Sequence, residues 1–318
     1  MSKSQLHFDQ SLPALYGEAE RLSPHIERLL AHNPSPFTFR GTGVYLVGDE
    51  RNVAVIDPGP NDPEHINSLI AAIGSRKVGH ILVTHTHRDH SPAAASLKKA
   101  TGAKTYGYGP HLSSPSGSSA RLVPKGAEKN GPVQIEPPVE EGGDRAFVPD
   151  VAVRDGDVVE GDGYRFHCVF TPGHTSNHMC YALEQEQVLF TGDHVMGWST
   201  TVIAPPDGDM GDYMKSLEKL IRRKDLILYP THGSPITKPG PFLRAYLSHR
   251  KMREKQIARA ITRGRNTAPL LVEALYCGLS PLLLGAARLT VEAHLQHMTA
   301  DKRLKALPGG RYELSVAR

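Results

Sequence analysis

Apolar and polar positions along this 318-residue chain follow two periods, and the alternation divides it into short strands with helices between them. Thr38–Val47 and Asn52–Ile56 read as strands separated by the polar turn Gly48–Arg51. Asp62 offers a helix cap with Pro63 at the first helical position, and Ile66, Leu69, Ile70 and Ile73 follow at helical spacing. His80–Thr84 is then a short apolar strand, Pro92–Ala100 a helix and Lys104–Tyr108 a strand. Further on, Tyr164–Thr171, Met179–Glu184 and Gln187–Thr191 read as strands, Tyr213–Arg222 as a helix and Leu226–Tyr229 as a strand. Ahead of these, residues 1–35 have helical spacing around Leu12–Leu30 and predict an amphipathic lead-in.

Two segments break this rhythm. Residues 110–150 are rich in Pro, Gly, Ser and charge without an apolar period, which predicts a flexible insertion, either a plain surface excursion or a lid beside a site. From about Pro241 the pattern becomes a long helix (Phe242–Arg263), a short one (Ala268–Tyr276), a third (Leu282–Met298) and a hairpin turning at Gly309–Gly310. Three helices and a hairpin describe a winged-helix-like module. The expected division is therefore 1–240 and 241–318, the first an α/β catalytic domain.

Charge sharpens that division. Residues 244–318 hold 14 Lys/Arg against 5 Asp/Glu, a net of +9, whereas the first 243 residues carry −5. Such asymmetry suits a polyanionic partner, RNA or an acidic carrier protein, although a solvated helix face and a dimer contact account for it equally. Lys251, Arg253, Lys255 and Arg259 fall on more than one helix face, and the tail offers only Tyr246, Tyr276 and Tyr312, with Phe242 just before, as stacking platforms. The longest apolar stretch, Leu270–Val291, is interrupted by Glu273, Pro281 and Arg288, which argues against a membrane span. The first residues show no apolar leader, and the three cysteines, Cys168, Cys180 and Cys277, stand in no metal-like spacing. Together these predict a reducing, cytoplasmic setting without a disulfide framework.

Histidine carries the chemistry. Of seventeen, three fall within Thr84-His85-Thr86-His87-Arg88-Asp89-His90, between an apolar strand and a helix. In an extended loop, residues two apart project to one side, so His85 and His87 can share a metal while Asp89 and His90 reach a second. His174 in TPGHT, Asp193 in FTGD and His232 in YPTHG each follow an apolar strand beside a glycine. His85, His87 and His174 thus make one set and Asp89, His90 and His232 another, with the Asp193 carboxylate able to bridge two cations. Imidazole and carboxylate in that ratio suit two zinc ions, and iron or manganese would also accept them. Trp198 and Tyr213 flank the Asp193 loop as candidate pocket or packing residues; His178 and His194 match no ligand position and are expected behind the ligands or at the surface.

In order and spacing, Asp57 (in IDPG), His85-x-His87-x-Asp89-His90, His174, Asp193 and His232 resemble the five motifs of the metallo-β-lactamase superfamily over about residues 37–235. The resemblance implies an αββα sandwich, two sheets back to back with helices outside and metals at one edge. It also implies a metal-bridging hydroxide, with Asp89 as both ligand and catalytic partner of that hydroxide and Asp57 orienting the ligands, unless Asp57 serves only its Asp-Pro-Gly turn.

Within the family, Asp193 and the absence of a cysteine ligand argue against β-lactam hydrolysis, and the short steps from His174 to Asp193 and from Asp193 to His232 leave no room for the arms of the large processing nucleases. The motifs are also similar to those of glyoxalase II. GHTSNHM (Gly173–Met179), GDHVMGWSTTV (Gly192–Val202), DYMKSLEKL (Asp212–Leu220) and LSHRKMREKQI (Leu247–Ile257) resemble the lactamase-beta-like protein 2 family. That resemblance implies either a carboxylic ester or thioester of a small or carrier-bound substrate, or single-stranded RNA gripped by the basic tail. A mononuclear iron dioxygenase and a non-catalytic binding protein are the lesser alternatives.

Overall fold

The computed structural model describes residues 6–111 and 142–315. The first sheet runs in sequence order through β1 (Ala19–Arg21), β2 (Ile26–Leu30), β3 (Gly43–Gly48), β4 (Asn52–Ile56), β5 (Lys77–Leu82), β6 (Lys104–Gly107) and β7 (Val151–Ala152). The second holds β8 (Val158–Gly161), β9 (Tyr164–Phe170), β10 (Met179–Leu183), β11 (Val188–Gly192) and β12 (Ile227–Pro230). Helices α1 (Pro63–Ile73) and α2 (Ala93–Thr101) cover the first sheet, and α3 (Met210–Ile221) and the start of α4 (Pro239–Ile261) cover the second. The expected αββα sandwich is present.

Its layering follows from period-two side-chain alternation in strands buried on both faces. In β10, Met179, Tyr181 and Leu183 enter the core between the sheets, while Cys180 and Ala182 enter the core under α3 and α4. In β3, Tyr45 and Val47 face between the sheets, and Val44 and Leu46 face the layer of α1 and α2. Every residue of both strands is buried, so these runs read as continuous apolar stretches.

Beyond the sandwich, α5 (Ala268–Leu275), α6 (Pro281–Ala300) and the hairpin β13 (Leu304–Leu307) with β14 (Arg311–Leu314) gather around Ile257, Leu271, Val291 and Leu295. Helix α4 belongs to both cores: Leu243, Tyr246 and Leu247 pack in the sandwich, Ile257 and Ile261 in the C-terminal cluster. No described helix is long and apolar enough to cross a membrane. The three cysteines are free, Cys168 and Cys180 buried and Cys277 exposed.

Several expectations give way. The lead-in is not helical: it forms β1 and β2, which pair antiparallel, β2 continuing onto β3. The strand expected at Thr38–Val47 begins only at Gly43, because residues 36–40 form turns. The helix expected from Tyr213 begins at Met210, where the Asp209 carboxylate accepts from Asp212 N at 2.8 Å. Helix α1 is capped as expected by Asp62, which accepts from His65 N, but Ile70 faces solvent. Most of the 110–150 insertion, residues 112–141, lies outside the described residues, so the lid expectation falls there; β7, which follows the insertion, and β8 were not anticipated.

Candidate metal centre

Each candidate site residue hangs from the C-terminal end of a strand: the orienting Asp57 after β4, and the ligands His85–His90 after β5, His174 after β9, Asp193 after β11 and His232 after β12. Strands β4 and β5 run parallel, as do β11 and β12, and β9 shares the direction of β11 through two antiparallel pairings with β10, so within each sheet these ends share a rim. Two glycines let the loops close in. A Cβ on Gly173 (φ +132°) would lie 2.3 Å from the Tyr213 backbone of α3, and one on Gly192 (φ +50°) would lie 2.6 Å from His178 Nε2.

The ligand atoms converge on two adjacent positions. His87 Nδ1 lies 3.0 Å from His85 Nε2 and 3.2 Å from His174 Nε2. Beside this trio, Asp89 Oδ2 lies 3.1 Å from His232 Nε2 and 3.3 Å from His90 Nε2. Asp193 Oδ2 stands between them, 3.4 Å from His232 Nε2, 3.6 Å from His90 Nε2 and 3.9 Å from His174 Nε2. Donors about 2.0–2.1 Å from one tetrahedral cation stand roughly 3.3 Å apart, so each trio is spaced as ligands of one cation would be, with Asp193 beside both. His90 Nε2 and Asp193 Oδ1 are buried without a hydrogen-bond partner among the described residues, a state that ligation would relieve. The donor set therefore fits two divalent cations.

A layer of hydrogen bonds behind the ligands aims them. His90 Nδ1 donates to Asp57 Oδ2 at 2.9 Å, His174 Nδ1 to Val202 O at 2.8 Å and His232 Nδ1 to Gly41 O at 3.1 Å, leaving each Nε2 lone pair for a cation. Asp57 is the hub. Its Oδ1 accepts from Thr84 N, and its Oδ2 accepts from the Thr84 and Thr231 hydroxyls as well as His90. Thr84 Oγ1, spending its proton on Asp57, is then the acceptor for His85 Nδ1 at 3.0 Å. The Thr42 hydroxyl, which the sequence did not single out, donates to Asp89 Oδ2 at 3.1 Å.

The electrostatics separate the two positions. Burial drives His85 and His87 well below the ordinary imidazole range, with neighbouring histidines pushing the same way, and burial also lowers His174. These three are neutral and ready to ligate. Burial would lower His90 and His232 too, but the surrounding carboxylates outweigh it, raising His90 well above its usual value and His232 to about 10. Asp89 and Asp193 are held low against their own burial by those same imidazoles. The carboxylate side of the site thus demands positive charge, and cation uptake there would release protons.

A cavity of about 200 Å³ opens on this cluster, touching His87, Asp89, His174, Asp193 and His232. Part of its lining comes from the C-terminal helices, with Leu283, Ala286, Ala287 and Thr290 of α6 and Arg250 of α4. Trp198 lines it and stacks on Phe39 at 5.1 Å, whereas Tyr213 is a packing residue whose hydroxyl donates to His194 O. His178 and His194 are both fully buried; His178 lies beside His85 with ring centroids 5.1 Å apart and accepts from His194 N. The described ends of the insertion adjoin the ligand loop: His111 Nδ1 meets Thr86 Oγ1 at 3.1 Å, and Asp144 N donates to Thr86 O at 2.7 Å.

Arg250 and the α6 wall were missed by sequence reasoning. The usable signal was phase: Arg250 shares the helical stripe of Leu243, Tyr246, Leu247 and Ile257, so it had to point inward.

Comparison with known proteins bears on these features. The family model described as "Metallo-beta-lactamase superfamily" matches residues 38–232. An "Atrochrysone carboxyl ACP thioesterase" of Claviceps purpurea is 29% identical over 80% of this chain and 71% of its own length. A "Beta-lactamase-like protein 2 homolog" of Caenorhabditis elegans is 31% identical over 76% of this chain and 72% of its own. A solved metallo-beta-lactamase family protein of Thermus thermophilus superposes with a TM-score of 0.73 at 23% identity, covering 92% of this chain and 100% of that one.

Proposed function

Because the chain belongs to the metallo-beta-lactamase superfamily, we propose that it is a two-metal hydrolase of carboxylic esters or thioesters whose acyl portion sits against the C-terminal helices. The observation that carries this reading is the cavity wall: beside the ligand cluster it includes Phe37, Met196, Trp198, Leu279, Leu283 and Ala286, all apolar side chains. An acyl chain gains by burial there, whereas an RNA strand needs a groove of exposed cations. The Claviceps purpurea relative, by its name a thioesterase acting on an acyl carrier protein substrate, supports the thioester branch and a carrier-bound substrate.

His85, His87 and His174 would hold one cation, Asp89, His90 and His232 the other, with Asp193 between them. Two zinc ions there would supply water acidified to hydroxide near neutral pH and would polarise the scissile carbonyl. The chain's own contribution is placement. Asp57 and Thr84 fix His85 and His90 in the ligating tautomer. Asp89 lines the cavity with Oδ2 accepting from Thr42 and standing beside the His90 and His232 ligand atoms, which would leave Oδ1 to receive a proton from the attacking water. Trp198 and Phe37 border the cavity and shield the ester from bulk water.

The test pairs metal analysis of the purified protein with turnover of an acyl N-acetylcysteamine thioester and of a labelled single-stranded RNA. Two zinc ions with thioester cleavage is the expected result; iron or manganese would revise the metal alone. Asp193→Ala should lose at least one metal and most activity, and full activity with two metals bound would sink the ligand assignment. RNA cleavage abolished by Asp89→Ala, with the thioester untouched, would transfer the site to the nuclease alternative.

A further inference from the structure

The cavity holds a charged group that the reaction just described does not use. Arg250, on α4, is only 2% exposed, and it lines the same cavity as Asp89, His174 and Asp193. Its Nη2 donates to Thr201 O, its Nε is buried without a partner, and its guanidinium carbon lies 5.1 Å from the centre of the Tyr213 ring and 5.8 Å from that of Tyr246. All of these partners are neutral. The other buried arginine, Arg28, pairs with Glu20 at 2.6 Å, whereas among the described residues no carboxylate lies within ion-pair distance of Arg250.

A buried guanidinium without a counter-charge is unfavourable, and two ring faces offset only part of that cost. The tyrosine hydroxyls, which donate to His194 O and Ser199 O, can accept from the guanidinium but are neutral and bring it no negative charge. The cavity residues contributed by α6 at that end, Ala286, Ala287 and Thr290, are uncharged. The two cavity carboxylates, Asp89 and Asp193, are committed to the histidine cluster. The missing negative charge therefore has to arrive with whatever enters the cavity.

We propose that Arg250 is the recognition point for an anionic oxygen group, a carboxylate in the simplest case, carried on the same substrate as the scissile bond. The inference rests on the ester or thioester reading above. The substrate class becomes an acyl compound with a scissile carbonyl at the histidine cluster, apolar atoms against α6 and an acid within reach of Arg250. Arginine suits this task because its planar fork meets both carboxylate oxygens at once.

The test uses ω-mercaptocarboxylates of increasing chain length, each against its own amide, so that the thiolate takes the metal end and only the remote group differs. Binding to the metal-loaded protein is read from the fluorescence of the chain's single tryptophan, Trp198, which lines the cavity. At the matching length the carboxylate should bind at least about tenfold more tightly than its amide. Arg250→Gln should erase that preference while leaving amide binding in place. Arg250→Lys, which keeps the charge but not the fork, should retain a reduced preference and serves if the glutamine variant does not fold. A role confined to holding the Thr201 loop would weaken acid and amide alike. No preference at any length, or an undiminished one in Arg250→Gln, overturns the proposal. Turnover of a neutral thioester is measured in parallel: its absence removes the hydrolase reading without altering the binding preference.

Discussion

Asp57 combines a turn at φ +50° with a carboxylate that accepts four hydrogen bonds, and one substitution separates the two roles. Asparagine tolerates positive φ, so Asp57→Asn should keep the turn. It replaces one acceptor oxygen by an NH₂ group, so either Thr84 N or His90 Nδ1 faces a donor. We expect metal affinity to fall about 10- to 100-fold in a chelator competition, with the fold intact by circular dichroism. Wild-type affinity would reduce Asp57 to the turn residue of Asp-Pro-Gly. The ligands themselves were legible in the sequence because clustered histidines at strand ends have few packing explanations. Thr42 was not, since a threonine is an ordinary solvent-facing residue until a partner defines it, and Arg250 showed only by its phase that it points inward, not which cavity it meets.

At the scale of elements, what the sequence revealed depended on whether a segment carries its own signal. Helix α1 does, through Asp62 and Pro63, and the sandwich strands do through their apolar runs. Strands β1 and β2 do not: Leu29 and Leu30 fit a helical stripe as well as a strand, and pairing with β3 decides. Strands β7 (two residues) and β8 (four) are too short to show a period of their own, and each pairs with a single neighbour, β6 and β9. Helix α4 carries a second inward charge, Glu254, which accepts from His297 Nδ1 and Arg303 Nη1, each at 2.7 Å, and lies 3.5 Å from His294. Burial alone would raise its carboxyl, but these partners outweigh burial and hold it well below the usual carboxylate range. A depressed acid stabilises the fold above its unfolded value of about 4.3 and loses that stabilisation as pH falls below it. The packing of α6 on α4 should therefore loosen in acid below about pH 4, read by hydrogen exchange in α6. Glu254→Gln should cost about 2 kcal/mol at neutral pH and flatten that acid dependence. An unchanged acid profile in the variant would place the pH sensitivity elsewhere.

Seen whole, the molecule divides chemistry from selection. All candidate ligands come from residues 85–232, within the stretch 38–232 matched by the family model, whereas part of the cavity lining comes from α4 and α6 beyond it. This is why the motifs could suggest how a bond is broken and say little about which bond: the selecting residues lie on helices whose sequence records packing first. The two functions should then be separable by mutation. Ala286 lines the cavity on α6 and is not itself a candidate ligand, and Ala286→Leu fills space that an acyl chain would occupy. Pocket contacts of this size discriminate by about tenfold or more. We expect kcat/KM to fall by that factor for a long-chain acyl thioester, to stay unchanged for the acetyl thioester, and metal content to stay at the wild-type level. Equal losses on both substrates would mean that α6 supports the metal centre itself. No loss on either would mean that the acyl group lies elsewhere, and the apolar wall would then have to be explained by the contact between the sandwich and the C-terminal helices alone.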